Sequence, residues 1–233
     1  METVLAGFLG GGASYRYVMA AAEASLKRLG TDYIDLYQIH QPDPETPQQE
    51  TLEALNDLVR SGKVRYIGCS NLAAWQTVDA LWISRRSGLA SYISAQNQYN
   101  LLDRRIEREL VPACRQFGVG ILPYFPLASG FLTGKYRRGE APPKGTRLSL
   151  VKRMADQALT DENFATLERL DKFARDHNRT LLELAIGWLA SQPQVSSVIS
   201  GATSPEQVGE NVKAGNWKLT SEELAEVDKL TRH

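Results

Sequence analysis

Helical and extended periodicities alternate along almost the whole chain, and no short hairpin turn joins one extended run to the next. Tyr33 to His40 reads as a strand closed by Pro42 and Pro44. Val64 to Ile67 reads as a second, ending in the Gly68-Cys69-Ser70-Asn71 turn, and further strands fall near 92–96, at Val119 to Tyr124 and at Ser197 to Ile199. Between them lie stretches with apolar residues at helical spacing. Tyr15 to Leu29 has Ser14 placed to cap it and Gly30 to end it. Others cover Thr46 to Ser61, about 73–87, 104–117, 161–176 and 180–191, followed by two C-terminal helices. The last opens with Thr220-Ser221-Glu222-Glu223, a capping-box pattern. Strands that lack hairpins must be joined by crossovers, and helical crossovers make the strands parallel. The expected fold class is therefore α/β: a parallel sheet of five strands between residues 33 and 199, with a candidate sixth at Thr3 to Ala6. One long irregular stretch, Leu127 to about Leu159, is expected to be functional or mobile.

Charge and cysteine usage exclude several classes of function. Lys plus Arg and Asp plus Glu both number 27, giving no electrostatic reason to expect a nucleic acid or an anionic membrane surface as partner. Arg137, Arg138 and Lys144 read as a solvated loop. The two cysteines, Cys69 and Cys114, lie in apolar stretches without CxxC or metal-type spacing. They are expected to be buried, reduced thiols of a cytoplasmic protein. Met1-Glu2-Thr3 does not resemble a secretory leader, and the apolar stretch Leu181 to Ala190 is too short for a membrane span and contains Glu183.

In parallel α/β folds, ligands collect at the carboxyl ends of the strands. Taken in order, those ends carry His40, then Ser70 and Asn71, then Gln96 to Asn100, then Tyr124 to Leu127, then Gly201 to Thr203. They offer hydrogen-bonding side chains and an aromatic ring, but no Ser-His-Asp order, no metal cluster and no GxxxxGK[ST] phosphate loop. The run Gly10-Gly11-Gly12 lacks the spaced GxGxxG pattern and reads as a turn.

Five blocks of sequence resemble the aldo-keto reductase family. Leu29-Gly30-Thr31-Asp32-Tyr33-Ile34-Asp35-Leu36-Tyr37-Gln38-Ile39-His40 looks like that family's fourth strand and the turn before it. Gly62 to Asn71 is similar to its fifth, and Gln96-Asn97-Gln98-Tyr99-Asn100 to its sixth. Tyr124 to Tyr136 looks like the seventh strand and the loop over the cofactor, and Ile199 to Asn211 like the eighth strand and the following helix start. The resemblance implies a (β/α)8 TIM-type barrel, with about six β/α units present in a single domain over residues 1–233, and NADPH as cofactor. It implies that Ser70, Asn71 and Gln96 hold the nicotinamide carboxamide and that Tyr124 stacks on the ring. Backbone groups of Phe125, Pro126, Leu127 and Ser129, with Lys135 nearby, would meet the pyrophosphate. Gly201, Ala202 and Thr203 would lie near the adenosine phosphate, with Gln207, Glu210 and Asn211 around the adenine. In parts of the family a Lys and an Arg stand where this chain has Gly201 and Gln207, yet the helix start at Ser204-Pro205 can still offer amides to a phosphate.

The family's chemistry is hydride transfer to a carbonyl, with a tyrosine giving the proton, a lysine and an aspartate tuning that tyrosine, and a histidine polarising the carbonyl. The resemblance places only the histidine here, as His40. The aspartate and tyrosine belong to the region after the family's first two strands, which this chain lacks, and the lysine's place falls at about Phe8. Tyr15, Tyr17 and Tyr37 are candidates by position only. An open barrel would leave strand edges and apolar core exposed, so a second polypeptide or self-association is expected to cover it. Three readings stay open: a reductase of aldehydes and ketones completed from elsewhere, a catalytically inactive cofactor-binding module resembling the reductase-like subunits of potassium channels, and a fragment without function. The substrate pocket would be shaped by residues near Trp75 and by the stretch 127–159.

Overall fold

Local signals bound the first helix, α1 (Tyr15–Leu29): the Ser14 hydroxyl accepts from the Tyr17 N–H, and Gly30 ends it at φ 66°, its N–H returning to Leu26 O. That left-handed turn favours glycine because a Cβ would crowd the following carbonyl. The computed structural model describes residues 12–231. They form two compact units, one of the chain up to Asn97 with Glu107–Ile121, the other of Gln98–Ile106 with Leu122 onward.

The first unit holds the sheet. β1 (Ile34–Ile39), β2 (Val64–Ser70), β3 (Tyr92–Gln96) and β4 (Gly120–Ile121) are parallel and lie in chain order. The crossovers are α2 (Gln48–Arg60), α3 (Ala74–Ser87) and α4 (Leu110–Phe117). Leu52, Leu55 and Leu58 of α2 are wholly buried. At about 1.5–3 kcal/mol for each such side chain, this stripe is a main anchor of the helix. Gln38 pairs with Gly68 and Ser70 with Gln96, and between Ile67 and Gly68 the β2–β3 register shifts, setting Ser94 beside Gly68. Such a bulge re-aims side chains on one face of the sheet.

The second unit is largely helical. α7 (Asp161–Asp176), α8 (Leu181–Ala190) and α10 (Ser221–Thr231) close on Trp188, Phe131, Leu170 and Leu184, all buried. Trp188 meets Tyr99 edge to face at 5.2 Å, with the Arg104 guanidinium 5.0 Å from its ring. The capping box expected at Thr220 and Glu223 forms at the start of α10, each side chain bonding the other residue's backbone N–H, and Thr180 and Glu183 form another at the start of α8.

Four expectations need correction, and one lies outside the described residues. The helix expected over 104–117 divides into a 3-10 turn at Arg105–Glu107 and α4. Pro112 has no N–H to donate to the preceding turn, so the helix starts afresh with the proline in its first turn. The strand expected at Val119 to Tyr124 shortens to Gly120–Ile121 because Pro123 cannot donate to a ladder. The strand expected at Ser197 to Ile199 does not form: in the second unit Ile199 meets Tyr124 only in an isolated bridge. The stretch 127–159 is not featureless. It holds a 3-10 turn at Ala128–Thr133, α5 (Arg147–Leu150) and α6 (Lys152–Ala158), with Leu148 in the core. Each piece is too short to show a helical period. The candidate strand at Thr3 to Ala6 and most of the glycine run are outside the described residues.

Candidate functional site

In the first unit the predicted residues converge at the carboxyl ends of β1, β2 and β3. The backbone carbonyl of Gln96 is the hub: it accepts the Ser70 Oγ–H at 2.8 Å and the Asn71 N–H at 3.0 Å. The Asn71 Nδ2 donates to the backbone carbonyl of His40 at 3.0 Å and to Ser70 Oγ at 3.1 Å. His40 is thereby tied to the Ser70–Asn71 turn while its residue stays exposed. Asn71 sits at φ 60°. A left-handed non-glycine residue costs on the order of 1–2 kcal/mol, offset here by the bonds its amide and N–H make. The hydroxyl proton of Ser70 is committed to Gln96, so what Ser70 offers a ligand is acceptor capacity.

Two further residues complete this cluster. The Gln38 Nε2 donates to Gln96 Oε1 at 2.9 Å, and Gln38 Oε1 accepts the Ser94 hydroxyl at 3.1 Å. The sequence reading did not include either. The available signal was a polar residue on the Ile34–Leu36 side of β1, two positions before His40, where strand alternation puts it on the same face.

In the second unit the predicted residues form two groups. The first is the segment 124–130. Tyr124 bridges to Gln98 and to Ile199, and its ring meets Phe125 edge to face at 5.1 Å. Burial, then the Asp103 carboxylate, pushes its phenol above the usual range, so it is a neutral ring at neutral pH. Phe125, Ala128 and Ser129 have φ of 54°, 46° and 61°. Strain of this kind collects at functional sites. Asn100, at the end of the strand-end run Gln96 to Asn100, holds it: its Nδ2 donates to Phe125 O at 3.0 Å while its Oδ1 accepts two backbone N–H groups of its own loop. Pro126 is buried, Leu127 O accepts the Gly130 N–H at 2.8 Å, and Lys135 is exposed beside Gly130.

The second group is the start of α9 (Pro205–Ala214). Ser204 caps the helix by accepting from the Gln207 N–H. The Gln207 Oε1 reaches back to the N–H and hydroxyl of Thr203, at 2.8 and 3.1 Å. The Asn211 Nδ2 reaches Gly201 O at 3.4 Å. The side chains of Gln207 and Asn211 thus brace this loop, and Glu210 is exposed. A Ser204 hydrogen bond holds the Glu206 carboxyl below its usual range, leaving a fixed negative charge in the first turn. Ala202 and Asn211 also line a groove of about 320 Å³, otherwise walled by Ile186, Val198, Val208 and Val212, where the Ser200 hydroxyl is buried without a partner.

The profile of the Aldo/keto reductase family matches residues 5–232. This chain belongs to the aldo/keto reductase family. The family's fold is the TIM-type barrel of the α/β class, in keeping with the four parallel strands and helical crossovers of the first unit. The family member is 40% identical over 206 residues to a probable voltage-gated potassium channel subunit beta of Arabidopsis thaliana, a match covering 87% of this chain and 62% of that protein. It is 36% identical over 215 residues to the versiconal hemiacetal acetate reductase of Aspergillus parasiticus, covering 91% and 61%. It is 35% identical over 225 residues to the L-glyceraldehyde 3-phosphate reductase of Escherichia coli K12, covering 94% and 64%. The chain therefore spans less than two thirds of the length of these relatives.

Other features of this aldo/keto reductase bear on its chemistry. Tyr15 donates its hydroxyl to Asp57 at 2.8 Å, and that bond raises its pKa, the opposite of what a proton donor at neutral pH requires. Cys69 and Cys114 are free and buried as expected, with burial pushing their thiols up to about 12 and about 11. Arg138 faces Asp161 and Glu168 on the surface. Among the described residues no group of three or more His, Cys, Asp or Glu side chains is placed to hold a metal, and no helix is long and apolar enough to cross a membrane.

Proposed function

We propose that this chain binds NADPH and acts in the reduction of aldehydes and ketones to alcohols. The observation that carries the reading is the hydrogen-bonded cluster of Ser70, Asn71 and Gln96 beside His40. It suits an amide-bearing ring: Gln96 Oε1 is occupied by Gln38, so its Nε2 is left to donate to a carboxamide oxygen, and Ser70 Oγ can accept a carboxamide N–H. Holding the carboxamide by several groups fixes which face of the ring is presented. Bound NADPH supplies the hydride. His40 polarises the carbonyl to be reduced. In the second unit, Tyr124 offers a neutral ring for stacking, and the strained backbone of Phe125, Pro126, Leu127 and Ser129 offers polar groups to the pyrophosphate, with Lys135 as cation. Gly201, Ala202 and Thr203 take the adenosine phosphate, with Gln207, Glu210 and Asn211 at the adenine.

We take residues 1–233 as a single aldo-keto reductase domain, which the family match over 5–232 supports. The buried free thiols support a cytoplasmic setting. Val208 and Val212, exposed at 53% and 68% beside the α9 groove, support a covering polypeptide or self-association.

A second reading is a catalytically inactive NADPH-binding or regulatory module. The likeness to potassium channel beta subunits favours it, as does the Tyr15 hydroxyl, held by Asp57 as a weak acid. Titrating NADPH into the purified chain, followed by quenching of its four tryptophans, tests both readings. Saturable micromolar binding with turnover of a carbonyl substrate upholds the first, and binding without turnover upholds the second. A folded chain that does not bind refutes both.

A further inference from the structure

A glutamine amide can turn either end toward a ligand, and the two ends have opposite hydrogen-bonding character. In Gln96, the last residue of β3, the choice is made by a residue of another strand. The Gln38 Nε2, on β1, donates to Gln96 Oε1 at 2.9 Å. Gln38 is held in turn by Ser94 on β3, whose hydroxyl donates to Gln38 Oε1 at 3.1 Å. Ser94 is 5% exposed, so a polar atom there must be satisfied within the protein. The β2 strand makes room for the relay. A Cβ on Gly68 would stand 2.3 Å from Ser94 Oγ and 3.1 Å from Gln38 Oε1, and the register shift at Ile67–Gly68 is what brings Ser94 there.

From this arrangement we infer that Gln38 is a positioning residue for the cofactor. It occupies Gln96 Oε1 and so sets the Gln96 Nε2 outward as the donor to the nicotinamide carboxamide, with Ser94 and Gly68 holding Gln38 in place. The inference rests on the reading of Gln96 as a carboxamide contact. Gln38 touches no ligand in this scheme. Its effect is confined to the nicotinamide end of the cofactor, because the hydrogen bonds it makes end at Gln96 and Ser94.

The experiment compares two ligands on the full chain: NADPH, and 2′-phospho-ADP-ribose, which carries the same adenosine and pyrophosphate but no nicotinamide. Dissociation constants are measured by calorimetry for the wild type and for Gln38→Met, Ser94→Ala, Gln96→Ala and the Gln38→Met/Gln96→Ala double variant, each checked for folding by circular dichroism. Methionine keeps the length of glutamine without its amide. Loss of one oriented hydrogen bond predicts NADPH affinity lower by about 10-fold in Gln38→Met and by a smaller factor in Ser94→Ala, with the fragment unchanged in both. The double variant binds NADPH no more weakly than Gln96→Ala alone, since Gln38 acts only through Gln96. Equal losses for NADPH and the fragment would show a merely structural role and overturn the inference. So would an unchanged NADPH affinity in Gln38→Met alongside a loss in Gln96→Ala. Should Gln38→Met fail to fold, Ser94→Ala decides: no selective loss of NADPH there rejects the relay. Failure of the underlying reading looks different, with Gln96→Ala binding NADPH as wild type does or the wild type binding none, and the inference then falls with it.

Discussion

Two glycines on neighbouring helices of the second unit should respond in opposite ways to the same substitution. Gly187 lies inside α8 and Gly209 inside α9. By helix propensity alone, Gly→Ala at either site would stabilise the protein by up to about 1 kcal/mol. A Cβ at Gly209 meets nothing within 4 Å, so there the propensity gain stands. At Gly187 the Cβ would lie 2.6 Å from the backbone oxygen of Trp217 and 3.3 Å from its Cβ. Ordinary contact needs about 3.5 Å, so α8 and the 217–219 segment would have to part by roughly 1 Å. That segment does not yield cheaply. Leu219 N–H donates to Ser191 Oγ at 2.9 Å, Lys218 Nζ donates to Ala190 O at 2.9 Å, and Trp217 stacks on Phe173. Overpacking of this kind costs about 1–3 kcal/mol, which exceeds the propensity gain. Gly187→Ala is therefore expected to lose on the order of 1–2 kcal/mol and Gly209→Ala to gain about 0.5–1 kcal/mol. Urea unfolding followed by tryptophan fluorescence gives both midpoints against wild type. A Gly187→Ala protein as stable as wild type, or more so, would refute the claim that close backbone approach is why α8 carries a glycine.

Two more predictions concern titration. The Thr180 backbone N–H, with help from its hydroxyl and from Arg179, holds the Glu183 carboxyl below its usual range. A depressed folded pKa contributes stability that is complete above the unfolded value of about 4.3 and fades as pH falls through the folded one. Thermal melts from pH 6 to pH 3 should thus fall less steeply in Glu183→Gln than in wild type, and equal slopes would count against the cap. Cys69 and Cys114, both wholly buried with thiols raised to about 12 and about 11, should ignore a thiol reagent at pH 8 until urea unfolds the chain. Prompt labelling of the native protein would show that the burial is not maintained in solution.

Much of the chain's architecture is written in short stretches of sequence. The starts of α1, α7 and α10 follow from side chains within four residues of each N-cap, such as Ser14 and Tyr17 or Thr220 and Glu223, and those bonds form wherever the helix is put. The order of strand ends, and with it His40, Ser70, Asn71, Gln96 and Tyr124 as the residues to watch, follows from periodicity. Tertiary structure decided how those residues are used. The Ser70 hydroxyl donates to a carbonyl 26 residues away, and the Gln96 amide is oriented by Gln38 from 58 residues away. Such pairings depend on sheet register and on the shift at Gly68, which no local window contains. The left-handed turns at Phe125, Ala128 and Ser129 were equally hidden, because non-glycine residues take them only when distant groups such as the Asn100 amide hold the backbone there. Local physics set which elements form. Contacts between residues far apart in the chain set which polar atoms remain for a ligand.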